Sequence, residues 1–278
     1  MSFKVENPKR VVQMATDGSS TYYVGQIVAY SNIGGSDAYN SCPGTVVPLG
    51  LADDVFDAHS LQVIAGVVVG INNRTPVYSA TYSANYVTGL TTQATQLARD
   101  VILNKGMYAA GDPQVLVDVA MIDVTSLIEG PIYNAAYGTA PTLLTSTTAE
   151  TTGWTSVGAT NACEFTPVAN VCTAYCRTGL NAGLYRVTSD TSTTAPTVTT
   201  AFPYDVAIGD TFVRVPLKQG VSNIYIGGSD VPALYINSSL GAATDYFGVI
   251  VEELDLTEAG KEKALFRFLP PHFNTKRA

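Results

Sequence analysis

The sequence predicts an all-β protein, built as two small β-barrel or sandwich units with a Thr/Ser-rich inserted β lobe and a few short helices. Three observations lead there. Apolar stretches are short, rich in Val, Ile, Tyr and Thr, and fenced by Gly, Pro or Asn, the pattern of strands in barrels and sandwiches. Apolar residues at helical spacing are scarce. Charged residues make up 14% of the 278-residue chain, against roughly 25% in ordinary soluble domains. Ser, Thr, Asn, Gly and Tyr must therefore form much of the surface, which suits a protein pressed against neighbours in an assembly.

In chain order, TYYVGQIVAY, QVIAGVVVG, TPVYSATYSANYV, QVLVDVAMIDV, TFVRVPL, NIYIG and YFGVIVEEL carry the predicted strands. The second lies in LQVIAGVVVGINN (residues 61–73), where Gly66 and Gly70 raise the question of a phosphate loop. Such a loop needs a following helix, whose N-terminal amides and dipole meet the anion. Ile71, Asn72, Asn73, Arg74, Thr75 and Pro76 make a turn instead, so the stretch reads as a strand buried on both faces. Gly209 before the alternating residues 210–215 reads as a turn feeding a strand with one buried face. Short helices are predicted over 51–59, 92–100 and 257–268, the last with Asp255 and Glu258 at capping-box spacing.

An approximate internal correspondence supports two units. VGQIVAY followed by IAGVVVG resembles IGDTFVRV followed by YFGVIVEE, with 41 residues from Gly25 to Gly66 and 39 from Gly209 to Gly248. KGMYAAGD also resembles AGLYRVTSD. The expected organisation is an N-terminal β-barrel unit with a basic arm (1–138), the Thr/Ser-rich lobe (139–201) and a second β unit with a basic tail (202–278). Trp154, Phe165 and Tyr175 lie in the lobe, either as its small core or as an anchor for a partner.

Catalytic chemistry finds little support. The two histidines, His59 and His272, leave few groups that titrate near neutrality, and no nucleophile-elbow sequence occurs. Asp53, Asp54, Asp57 and His59 are the densest potential ligand set, but they lack calcium-loop spacing and suit the first turn of a short helix. Cys172 and Cys176, four apart, with Cys163 ahead of them, read as small buried residues, with zinc or a later disulfide as alternatives. Glu252 and Glu253 are adjacent, so on a strand they point to opposite faces and cannot work as an acid–base pair. The chain is expected to be no enzyme and to need no metal or cofactor.

The net charge of −8 argues against a nucleic-acid partner. No apolar run reaches the length of about 18 residues that crosses a membrane, and the first residues lack the apolar core of a secretory signal, so synthesis in the cytoplasm is expected. The charge is unevenly placed. Residues 1–10 and 261–278 hold eight basic side chains (Lys4, Lys9, Arg10, Lys261, Lys263, Arg267, Lys276 and Arg277) against Glu6 and Glu262. The ends thus carry +6 and the middle −14. Basic ends on an acidic body predict arms that grip an acidic surface, with His272 and Phe273 beside them.

The order GQIVAY, PLGLADDVFDAHSLQVIAGVVVGINN, DVILNKGMYAAGD resembles the capsid decoration (cement) proteins of tailed bacteriophages. The matching positions are Gly25, Val28, Ala65, Gly66, Gly70, Gly106, Gly111 and Asp112, within about the first 120 residues. The resemblance implies a small β-barrel protein that docks on the outside of the shell, often as a homotrimer, and clamps neighbouring subunits of the major capsid protein. A tail-tube or head–tail connector protein, and a host-surface or carbohydrate-binding virion module, are the alternatives.

Overall fold

The computed structural model describes residues 2–16, 22–30, 45–49, 63–72, 116–133, 141–161, 172–187, 194–224, 226–228, 231–237 and 247–273. The described residues are nearly all β, with several separate sheets. Two compact units interleave along the sequence: unit 1 takes Met1–Ile128, Gly227–Leu234 and Phe268–Ala278, and unit 2 takes Glu129–Ile226 and Tyr235–Arg267. The predicted helices over 51–59 and 92–100, the strand in TPVYSATYSANYV and the segment KGMYAAGD lie outside the described residues.

The first six strands are β1 (Lys4–Val5), β2 (Arg10–Thr16), β3 (Ile27–Tyr30), β4 (Thr45–Pro48), β5 (Ile64–Asn72) and β6 (Leu116–Met121). Five of them close a barrel in unit 1, in the order β2-β4-β3-β5-β6. Neighbours run antiparallel except β2 and β4, whose parallel pairing completes the ring. Met14, Val28, Val46, Ala65, Val68, Val117 and Val119 fill the inside. Tyr22 joins them fully buried, and its hydroxyl donates to the Val46 carbonyl at 2.7 Å, so the one polar atom carried inside is satisfied. Within LQVIAGVVVGINN, Ile64–Asn72 form a strand, and 64–68 are buried on both faces as expected. Past Val68 a bulge leaves Val69 unpaired and exposed, the kind of local bend that lets a small sheet close. Gly66 lets β5 and β6 approach closely: a Cβ there would overlap the Ala120 carbonyl oxygen and lie 2.8 Å from Val119 Cγ1.

The next strands are β7 (Ile128–Tyr133), β8 (Leu143–Thr145), β9 (Thr173–Cys176), β10 (Gly183–Arg186), β11 (Thr211–Val215), β12 (Gly220–Ile224), β13 (Ile226–Gly228), β14 (Val231–Asn237), β15 (Phe247–Asp255) and β16 (Lys263–Phe268), and a 3-10 turn follows over Pro270–Phe273. Within unit 2, β10-β9-β11-β8 form an antiparallel sheet. A second sheet runs β12-β15-β16-β7-β14. The first sheet lays Leu144, Ala174, Cys176 and Phe212 against Val157, Val198, Phe202 and Val206, which arrive on short bridges such as Glu150↔Val206 and Val187↔Val198. Phe202 is the hub, with its ring 5.0 Å from Tyr185 and 6.0 Å from Phe212.

Three expectations are corrected. Residues 257–268 are not a helix. Asp255 accepts from the amide and hydroxyl of Thr257 in a local turn, Gly260 takes φ +78°, and KALFRF then alternates with Ala264, Phe266 and Phe268 buried. The internal correspondence holds only locally. In Tyr23–Gln26 and Ala207–Asp210 alike, glycine sits third with φ +83° and +94°. In each, the fourth residue's side chain accepts from the first residue's amide at 3.0 Å. Beyond that turn the likeness stops, because β3 pairs with β5 whereas β11 and β15 lie in different sheets. β15 is buried on one face only, unlike β5. Finally, the described parts of the basic ends are not free arms: residues 10–16 and 263–268 are sheet strands, and Phe3 is buried.

Candidate functional site

Five of the eight basic side chains predicted as contacts at the two ends pair with carboxylates, three of them with partners 15 or more positions away. Lys9 pairs with Asp123 at 3.4 Å, Lys263 with Glu129 at 2.9 Å and Arg267 with Glu252 at 3.0 Å. Lys4 and Lys261 take the nearby Glu6 and Glu258. Arg10 opens β2, exposed. His272 and Phe273 set ring edges on Phe268 at 5.9 and 6.4 Å. Glu252 and Glu253 are both exposed. Lys276, Arg277, Phe165, Cys163 and the set Asp53, Asp54, Asp57 and His59 lie outside the described residues. Among the described residues no group of three or more His, Cys, Asp or Glu side chains could hold a metal ion.

Cys172, just ahead of β9, and Cys176, at its end, are wholly buried in the core of unit 2. Burial pushes the Cys176 thiol up to about 11, partly offset by its hydrogen bond to the Thr178 carbonyl at 3.1 Å. At pH 8 only about one molecule in a thousand would then carry the reactive thiolate. Native protein treated with iodoacetamide at that pH is expected to leave both residues unmodified in a peptide map, with modification appearing only in denaturant. Rapid native labelling of Cys176 would contradict its placement.

Tyr175 sits half-buried on β9, but Trp154 is not part of the lobe's core. It is 51% exposed, and its indole N–H donates to Thr151 Oγ1 at 2.8 Å. Three further large apolar side chains, which the sequence reading did not single out, are exposed too: Leu180 is 74% exposed, Ile208 69% and Tyr204 51%. The register explains why the loops bearing the last three converge. Cys176 lies opposite both Gly183 and Phe212, and Thr211 opposite Thr145, so the 177–182 hairpin and the 207–210 turn leave the same end of the sheet. The 202–206 loop is clipped to them by Asn181, itself buried. Asn181 Nδ2 donates to the Tyr204 carbonyl, and its Oδ1 accepts from the Tyr204 amide, both at 3.0 Å.

Further bonds stiffen this end. Thr178 Oγ1 accepts from the Thr211 amide at 2.8 Å and donates to Asp210 Oδ1 at 3.2 Å. Asp205 Oδ1 accepts from the hydroxyl and amide of Thr152 at 2.8 and 2.6 Å, and these bonds hold its carboxyl below the usual range. Loops fixed in this way keep little conformational entropy to lose if their apolar tips are covered. At this same end Arg177 forms a buried ion pair with Glu262, and its Nε donates to the Leu256 carbonyl at 2.9 Å.

Comparison of the chain with protein families, with curated proteins and with solved structures finds no match.

Proposed function

We propose that the chain is a structural protein of a bacteriophage particle, a decoration protein that binds the outside of the shell and bridges neighbouring subunits of the major capsid protein, as a homotrimer. The observation that carries this reading is the exposed apolar set Leu180, Tyr204 and Ile208 on rigid loops at one end of the four-stranded sheet. Contiguous exposed apolar surface marks protein contact sites. The composition, poor in charge, and the barrel implied by the family resemblance agree with it. We assign the main contact to these tips in preference to the basic ends, because exposed ion pairs already occupy most of the latter and contribute little. Many copies on one particle would make a modest single contact effectively permanent.

The test uses shells assembled without this protein. Wild-type protein is expected to cosediment with them, and electron cryo-microscopy to show density outside the shell at three-fold positions. The double variant Leu180→Ser, Ile208→Ser should bind at least about tenfold more weakly, the loss expected of hot-spot side chains. Its thermal stability should stay close to wild type, because both residues are exposed. Absence of wild-type binding, or full occupancy by the variant, refutes the proposal; density in the tail would favour the tail reading. Trp154 favours a second reading, a glycan-binding surface module, because the bond from its indole N–H to Thr151 fixes an exposed ring in place.

A further inference from the structure

Unit 2 holds a shallow cavity of about 140 Å³ away from the apolar tips, on the opposite face of the four-stranded sheet from its core. Arg186 and Lys218 line it together with Thr173, Gln219, Leu184 and Leu254. The charge pattern is unusual for this molecule. Lys4, Lys9, Arg177, Lys261, Lys263 and Arg267 each have a carboxylate within ion-pair distance. Arg186 and Lys218, like the exposed Arg10, have none among the described residues, although acidic side chains outnumber basic ones by 23 to 15 in the whole chain. Arg186 is exposed and Lys218 half-buried, and two cations lining one small cavity raise the local concentration of anions there.

Both cations stand on fixed backbone. Arg186 ends β10, its carbonyl accepts from the Thr199 amide at 2.7 Å and from the Thr199 hydroxyl at 3.1 Å, and fully buried Val187 follows it. Lys218 follows fully buried Leu217, and its amide donates to Ser222 Oγ at 3.4 Å. The walls identify the ligand. Arg186 offers a planar fork suited to a two-oxygen anion, Thr173 and Gln219 add hydrogen-bonding side chains, and Leu184 and Leu254 suit a short carbon stem. A cavity of ~150 Å³ holds about six carbon atoms, which matches a carboxylate on two or three methylenes.

We infer that this cavity is a binding site for a small carboxylate, supplied either as a free short-chain acid or as the glutamate side chain of a bound chain. The inference stands independently of the virion reading. Full-length protein would be titrated calorimetrically with sodium butyrate, N-acetylglutamate amide, inorganic phosphate and the neutral isostere butyramide. Saturable binding of butyrate with no butyramide binding is expected. Arg186→Gln should weaken it at least about tenfold, the loss of a charge-assisted fork. Lys218→Gln should weaken it to a smaller extent, and Lys261→Gln, in a solvent-exposed pair, should leave it unchanged. Tighter binding of N-acetylglutamate amide than butyrate would assign a protein-borne carboxylate; equal binding would assign a free acid. No saturation by either up to about 50 mM, far above the millimolar range of a single weak contact, overturns the site. So does unchanged butyrate affinity in a folded Arg186→Gln variant, or phosphate binding more tightly than either carboxylate.

Discussion

Replacing Glu262 with alanine is expected to destabilise unit 2 by about 3–5 kcal/mol, the cost of leaving a buried charge without its partner. Its side chain is 1% exposed and that of Arg177 9%. Removing the carboxylate leaves the Arg177 guanidinium bonded to the Leu256 carbonyl, too weak an acceptor to offset lost hydration. The backbone carbonyl of Glu262 receives the Ile132 amide at 2.8 Å, so disturbance at this point also reaches the β7–β16 pairing. The double replacement Arg177→Met, Glu262→Leu should cost much less than Glu262→Ala alone, because both desolvation penalties disappear together. Urea titration followed by the fluorescence of Trp154, which lies in this unit, measures both. A loss under about 1 kcal/mol for Glu262→Ala would mean that water reaches the pair.

Gly66→Ala is expected to be the most damaging single methyl group in the barrel, costing about 3 kcal/mol, the upper end of ordinary overpacking. The added carbon would overlap a backbone oxygen, that of Ala120, which has no side-chain torsion with which to retreat. Strands β5 and β6 would have to part along a ladder running from Gly66↔Met121 to Asn72↔Leu116. Gly70→Ala provides the control four residues on. There the nearest atom is Asp118 Oδ2 at 3.0 Å, the end of a side chain that can turn away, so the change should cost under about 1 kcal/mol. Hydrogen exchange at the Val67 and Val119 amides reads the barrel directly. Equal effects of the two substitutions would show that β5 and β6 do not approach as described.

The all-β class was legible because strand signals are local. The crowding of branched side chains at Ile64, Val67 and Val68 needs no distant partner to declare a strand. The Gly25 and Gly209 turns declare themselves through a residue that tolerates positive φ. The β16 region misled for an equally local reason. Asp255 and Glu258 have capping-box spacing, but Asp255 is used by Thr257 two residues on, and the two-residue alternation of Ala264, Phe266 and Phe268 outweighs it. Trp154 was expected in a core or at a partner surface, and it lies exposed. The real core draws Val157, Val198, Phe202 and Val206 from bridge segments with no periodicity to read. Neutralisation of Lys9, Lys263 and Arg267 depends on Asp123, Glu129 and Glu252, and that of Arg177 on a residue 85 positions away; only folding reveals such pairs. The apolar tips at Leu180, Tyr204 and Ile208 escaped notice because exposure is a tertiary property; isolated apolar residues in turns were the only available signal.

The β2–β6 ladder has a consequence for how the chain matures on the ribosome. Arg10 is matched to Met121, so the ring cannot shut until more than a hundred further residues have been polymerised. At about 5–20 residues per second, that is a wait on the order of ten seconds. Meanwhile the valine-rich segment that becomes β5 has emerged without β6, one of its two permanent neighbours, and sticky unpaired edges of that kind invite intermolecular association. Nascent chains are therefore most vulnerable before residue 121 clears the exit tunnel, and slow, cool synthesis that limits encounters between unfinished copies should favour recovery of native material.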